Sequence, residues 1–227
     1  SVRFEYRDMA SHSVEPHSGP VLGGTTVVIR GALLREGVSA GVSSGVFCKF
    51  SGMDVVSATS LEGDGGVRCV TPAAERAGPV AVHLVDGGAV LASSVAFVYT
   101  EHLRVSSVEP AVGVLGGGTL VRVRGRGFEP SVSAVVRVGV REVVLARVSS
   151  STLLECILPP QTQAGLLSVE VSLNGQDFSA DEVLFEYQQA ARLVEVAPSA
   201  GPSAGGSLVV LSGSGFSQRS YALSYTH

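Results

Sequence analysis

The chain has 227 residues, 45% of them hydrophobic and only 16% charged, which supplies ample core material and excludes disorder. A formal net charge of −4 with a sequence pI near 5.7 leaves no cationic footprint for nucleic acid. Mean hydropathy is high at +0.35, yet the valines sit in short runs broken by Gly, Ser and Pro, and none approaches the roughly 20 apolar residues of a spanning helix.

In chain order, the aromatic doublet Phe4-Glu5-Tyr6 comes first and reads as the closing strand of a preceding unit, residues 1–7. Val14-Glu15-Pro16 opens the next unit, 11–100, and leads to the glycine turn Leu22-Gly23-Gly24-Thr25. The β-branched run Thr26-Val27-Val28-Ile29 follows, then Phe47-Cys48-Lys49-Phe50-Ser51-Gly52 and Cys69-Val70-Thr71-Pro72. Val80-Ala81-Val82-His83-Leu84 approaches the turn Asp86-Gly87, and the unit closes on Phe97-Val98-Tyr99.

About ninety residues later the same order returns in a second unit, 105–188. It reads Val108-Glu109-Pro110, Leu115-Gly116-Gly117-Gly118-Thr119, Leu120-Val121-Arg122-Val123, Gly125-Arg126-Gly127-Phe128 and Cys156-Ile157-Leu158-Pro159. Val169, Val171 and Leu173 alternate with polar residues, so they are expected to face a core, and Asn174-Gly175 reads as a two-residue hairpin turn. Counted back from the turn, the matching strand of the first unit is out by one residue, which predicts a longer turn or a bulge around Val85-Asp86-Gly87-Gly88. Phe185-Glu186-Tyr187 ends the second unit, and residues 193–227 begin a further, incomplete one with Val196-Ala197-Pro198 and Ala204-Gly205-Gly206-Ser207. So short a piece cannot bury a sandwich core alone, and the array is expected to continue beyond both ends. Strand-sized segments between closely spaced turns, with no amphipathic helix, predict an all-β sandwich of about seven strands per unit.

The ordered set Val-x-Pro, Gly-Gly-Thr, strand, Gly-x-Gly-Phe, Cys-x-Phe-x-Gly, Cys-Val-Thr-Pro, Asp/Asn-Gly and Phe-x-Tyr resembles the IPT/TIG repeat of plexins, Met-type receptors, fibrocystin-like surface proteins and Rel-type transcription factors. The resemblance covers essentially the whole chain. It implies tandem immunoglobulin-like β-sandwiches arranged end to end, joined by the short linkers Thr100–Val105 and Gln188–Leu193 into a semi-rigid rod. It also implies a binding or building role without chemistry inside the repeat.

Cys48 and Cys69 lie in one unit on separate strands, and an intra-unit disulfide is the leading reading over two buried free thiols. Closing a loop of about twenty residues would contribute about 3 kcal/mol. In the second unit Val136 stands where Cys48 does, leaving Cys156 an unpaired core thiol. No Cys-x-x-Cys spacing for zinc occurs. Gly201-Pro202-Ser203-Ala204-Gly205 matches a hydrolase elbow only formally, because it falls in the recurring glycine turn rather than between a strand and a helix. The Leu115–Thr119 glycines lack the lysine and helix of a phosphate loop.

His12, His17, His83, His102 and His227 show no ligand spacing, and Glu62 with Asp64 falls short of the six or more oxygens a calcium site needs. No catalytic, cofactor or metal residue is assigned. Arg122, Arg124 and Arg126 alternate along one strand. They form either a docking patch for an acidic partner or, preferably, the ordinary polar outer face of a sheet.

The leading function is a structural or adhesive segment of a larger extracellular, cell-surface or ciliary-surface protein, with neighbouring repeats and other proteins as partners. Three alternatives compete with it. An intracellular scaffold fits the same repeats. A Rel-like dimerisation and DNA-contact module is disfavoured by three acidic units in a row. An accessory domain of a carbohydrate-active enzyme would want exposed aromatics, and this chain has no Trp.

Overall fold

The computed structural model describes residues 13–31, 45–61, 66–86, 89–90, 94–131 and 133–216. The preceding strand expected at 1–7, the acidic pair Glu62 and Asp64, and His12 and His227 lie outside the described residues. Among the described residues there is no helix.

The first sandwich is built from β1 (Ser13–Glu15), β2 (Ser18–Pro20), β3 (Thr26–Arg30), β4 (Val46–Phe50), β5 (Val55–Ser57), β6 (Thr59–Leu61), β7 (Gly66–Val70), β8 (Gly78–Asp86), β9 (Ala89–Val90) and β10 (Val95–Thr100). One sheet runs β1-β3-β7-β6 and the other β2-β10-β8-β4-β5, with β9 hairpinned onto β8. The second sandwich uses β11 (Arg104–Glu109), β12 (Val112–Val114), β13 (Leu120–Arg126), β14 (Val135–Val138), β15 (Glu142–Leu145), β16 (Arg147–Ser150), β17 (Leu153–Ile157), β18 (Gly165–Ser172) and β19 (Leu184–Gln188). Its sheets repeat the same order, β11-β13-β17-β16 and β12-β19-β18-β14-β15. Finally β20 (Arg192–Ala197) pairs with β21 (Val210–Ser214), and the apolar side chains on them are largely exposed.

Period-two alternation decides which residues meet between the sheets. Val27 and Ile29 of β3 face Phe50, Phe97 and Tyr99 across the first core, and Val121, Val123, Val169, Val171, Phe185 and Tyr187 fill the second. The closing aromatics pack edge to face, Phe97 on Tyr99 at 5.1 Å and Phe185 on Tyr187 at 5.0 Å between ring centroids. Each tyrosine satisfies its buried hydroxyl by donating to a proline carbonyl, Tyr99 to Pro72 at 2.8 Å and Tyr187 to Pro159 at 2.9 Å. The Gly23-Gly24 turn takes the chain from one sheet to the other with φ of 72° and 88°. A Cβ on Gly23 would stand 2.6 Å from the Pro72 backbone, so both conformation and space demand glycine there.

Cys48 on β4 and Cys69 on β7 are joined by a disulfide that crosses the first sandwich, with Cα atoms 6.4 Å apart. In the second sandwich the ladder pairs Val136 with Val171, as Cys48 pairs with Leu84, so Val136 occupies the cysteine position and Cys156 is a buried free thiol.

Two expectations change. Asn174-Gly175 is not a two-residue hairpin turn, because β18 ends at Ser172 and the chain does not rejoin the sheet as a strand until β19 at Leu184. The Asn174 side chain closes the turn instead, its Oδ1 accepting from the N–H groups of Gln176 at 3.0 Å and Asp177 at 2.9 Å. Strand β8 itself keeps an unbroken register, with Val80 opposite Phe97 just as Leu167 lies opposite Phe185. Asp86 therefore stands one position earlier in its strand than Asn174, and Gly87 and Gly88, where the expectation also falls, lie outside the described residues. The linkers are shorter than expected, since only 101–103 separate β10 from β11 and only 189–191 separate β19 from β20.

A Cys48→Ala/Cys69→Ala double variant, which opens a crosslink of sequence separation 21, is expected to lower the stability of the first sandwich by about 2–4 kcal/mol. Calorimetry should show its transition fall while that of the second sandwich stays in place.

Candidate functional site: the joint between the sandwiches

The arginines Arg122, Arg124 and Arg126 all point outward from β13. Carboxylates on the flanking strands meet two of them, Arg122 with Glu155 at 3.2 Å and Arg124 with Glu109 at 3.4 Å. Exposed pairs of this kind contribute about 0–1 kcal/mol, and they turn the face into alternating charge rather than a bare cationic surface. Arg126 lies opposite Arg104, whose guanidinium reaches Asp181 at 3.1 Å. Burial pushes the Cys156 thiol up to about 12, so it stays protonated at neutral pH. Ser203 sits exposed in a turn closed by the Gly205 N–H on the Pro202 carbonyl.

A more organised group of polar side chains forms where the sandwiches meet. The loop after β18 is held at its base before it reaches its neighbour. Ser179 donates its N–H to the Val171 carbonyl at 2.9 Å and accepts the Val171 N–H on its hydroxyl at 3.0 Å. Arg137, ion-paired to Glu170, lies over the Phe178 ring at 3.9 Å from its centroid. Asp181 accepts the Val105 N–H at 2.7 Å, tying the loop to the first residues of the second sandwich.

From that base the tip, Asn174 to Asp177, docks onto the end of the first sandwich. Asp177 Oδ2 accepts the Thr25 hydroxyl at 2.7 Å and the Asn174 side-chain amide at 2.6 Å. The same Asn174 amide donates to the Ser18 carbonyl at 2.9 Å. Gln176 clamps one backbone residue from both sides, its Oε1 accepting the Thr26 N–H at 3.2 Å and its amide donating to the Thr26 carbonyl at 2.9 Å. Strand β1 stops at Glu15, opposite Val28, so Thr26 lies past its end, and the glutamine supplies the hydrogen bonds a longer strand would have made. Thr25 is 0% exposed, which makes the carboxylate its necessary partner.

In the sequence Thr25 and Asn174 stand out only as turn residues, and Ser18, Gln176 and Asp177 belong to no recognisable motif. The available signal was compositional. Where the second sandwich has Asn174-Gly175-Gln176-Asp177, the first has Asp86-Gly87-Gly88-Ala89, and a polar tip on one turn alone asks for a partner.

The family profile described as the IPT/TIG domain matches residues 10–99 and 103–187. Among curated proteins, mouse (Mus musculus) fibrocystin-L is 36% identical over 60% of this chain, and human (Homo sapiens) fibrocystin-L 32% over 70%. Plexin-2 of Caenorhabditis briggsae is 27% identical over 89%. The chain spans only 3%, 4% and 11% of those proteins respectively. Among solved structures, the full extracellular region of plexin A4 aligns with 85% of this chain and 18% of its own, at a TM-score of 0.54 and 18% identity, a likeness of fold.

Two outcomes follow from this geometry. In a double-mutant cycle on thermal unfolding, Thr25→Val and Asp177→Ala should couple by about 0.5–3 kcal/mol, whereas Thr25→Val with Glu155→Ala should be additive. Above pH 9, the ordinary thiol value, an unfolded Cys156 loses its proton while the folded one keeps it. The second sandwich should therefore lose stability as pH rises from about 9 through about 12, and urea titrations should show a smaller loss in Cys156→Val.

Proposed function

Because this chain belongs to the IPT/TIG domain family, we propose that it serves as a non-catalytic, semi-rigid spacer and protein-interaction segment of a larger extracellular or cell-surface protein. The observation that carries the reading is the joint. Three residues connect two closed sandwiches, and side-chain hydrogen bonds from Asn174, Gln176 and Asp177 fix their mutual orientation. A flexible tether would need a long polar linker and no such contacts. Directional hydrogen bonds set both the angle and the rotation about the chain axis, which is what a spacer presenting loops at defined positions requires.

The extracellular setting is supported by the Cys48–Cys69 disulfide, a bond that persists in oxidising compartments, and by the likeness to fibrocystin-L and plexins. Neighbouring repeats are the first partners of such a segment. Other proteins would meet its outer faces, where Arg122 and Arg124 alternate with Glu155 and Glu109.

Spin labels placed at Leu22→Cys and Leu145→Cys, both exposed and one on each sandwich, test the spacer directly in a Cys156→Val background. Electron–electron distance measurements should give one narrow distribution in the parent and a broad one in Asp177→Ala. A broad distribution in the parent would mean a tether, and the spacer reading would fall.

A further inference from the structure

The groups that receive the tip of the second sandwich recur, unoccupied by any such tip, on the second sandwich itself. In the first sandwich they are the Ser18 carbonyl, the Thr25 hydroxyl and the two backbone groups of Thr26. The counterparts are Val112, Thr119 and Leu120. Val112 opens the parallel β12–β19 pair as Ser18 opens β2–β10. Leu120 pairs with Ile157 as Thr26 pairs with Val70. Gly117 and Gly118, with φ of 72° and 78°, give the same turn before the hydroxyl residue, and β11 stops at Glu109 opposite Arg122, leaving Leu120 past its end. Exposure follows occupancy. Thr25 is 0% exposed beneath the docked tip, whereas Thr119 is only partly covered and Leu120 is 56% exposed. Among the described residues the Thr119 hydroxyl has no hydrogen-bond partner.

We propose that Val112, Thr119 and Leu120 form a docking site for the polar turn of a following sandwich of the same kind. A side-chain carboxylate of that turn accepts from Thr119, one carboxamide donates to the Val112 carbonyl, and a second clamps the Leu120 backbone. Two observations select a following sandwich over a second copy of this chain. Within a copy the tip at 174–177 is already spent on its own Thr25. The three residues 189–191 after β19 match the three at 101–103 after β10, so a following sandwich starts at the same distance from its site. Strands β20 and β21 begin in the required frame, Arg192 opposite Ser214 with a bulge after Leu193, as Arg104 lies opposite Arg126 with a bulge after Val105. The donor hydroxyl recurs at Ser207 in that next turn, next to Gly201 as Thr25 is next to Gly19. The assignment rests on the spacer reading and extends it to a repeating rule: hydroxyl socket behind, polar tip ahead.

The test is a three-sandwich protein, residues 1–191 followed by a second copy of 104–191, whose added unit closes its own core and carries its own tip. Backbone residual dipolar couplings report the orientation of each sandwich separately. The expected result is one shared alignment for all three. Thr119→Val in the middle sandwich, or Asp177→Ala in the added copy, should free the third alone and leave the first two aligned. A third sandwich that orients independently in the parent, or stays aligned in both variants, overturns the docking site. Independent orientation of the first two in the parent instead overturns the spacer reading beneath it.

Discussion

Gly23 and its counterpart Gly117 each bring the chain against the backbone of a proline segment so closely that no side chain fits between them. That approach closes one end of each sandwich. The turn's residues exchange backbone hydrogen bonds with the Thr71–Ala74 segment: the Gly24 N–H donates to the Thr71 carbonyl, the Thr71 N–H to the Thr25 carbonyl, and the Ala74 N–H to the Val21 carbonyl. The second sandwich repeats the three bonds with Gly118, Leu158, Thr119, Gln161 and Leu115. Tyr99 and Tyr187 anchor the same segment from the core side. A turn stitched on three sides has little freedom, and so the hydroxyl it carries points outward at a fixed place. The constraint that closes the fold also makes the socket.

The two sandwiches reach closure by different means. In the first, a disulfide links the facing sheets, and its contribution acts largely by restricting the unfolded chain. The second has Val136 and Cys156 at the same site, both within its hydrophobic core, which also holds Phe128. Phe128 depends on Gly125, since a Cβ there would stand 2.5 Å from the ring. At this site an apolar valine beside a buried thiol takes the place of the crosslink.

Much of this was legible in the chain itself because strand faces follow a period of two and turns need particular residues. The alternation of Val169, Val171 and Leu173 places all three in the core, and the recurring glycines mark true turns. Asn174-Gly175 misled for a physical reason. Asparagine serves a tight hairpin through positive φ, but here its side chain caps two backbone N–H groups and opens a longer loop. The polar composition of the tip was visible, but what it meets at the joint was not legible. Its bonds connect residues about 150 positions apart, and no periodicity within one strand carries information about which turn meets which socket.

A polar joint suits an array better than an apolar one. Apolar contact is non-directional, and a greasy patch at every sandwich end would let repeats associate out of order or with other chains. A buried threonine hydroxyl is costly to leave without its acceptor, so only a tip carrying the correct carboxylate satisfies it. Because Asn174 orients Asp177 and Ser172 in turn accepts the Gly175 N–H, the tip is ordered before it docks and little further entropy is lost on contact. Each joint can then be weak by itself. The short connection holds tip and socket at high effective concentration, so a modest set of hydrogen bonds is enough to keep successive sandwiches in one orientation.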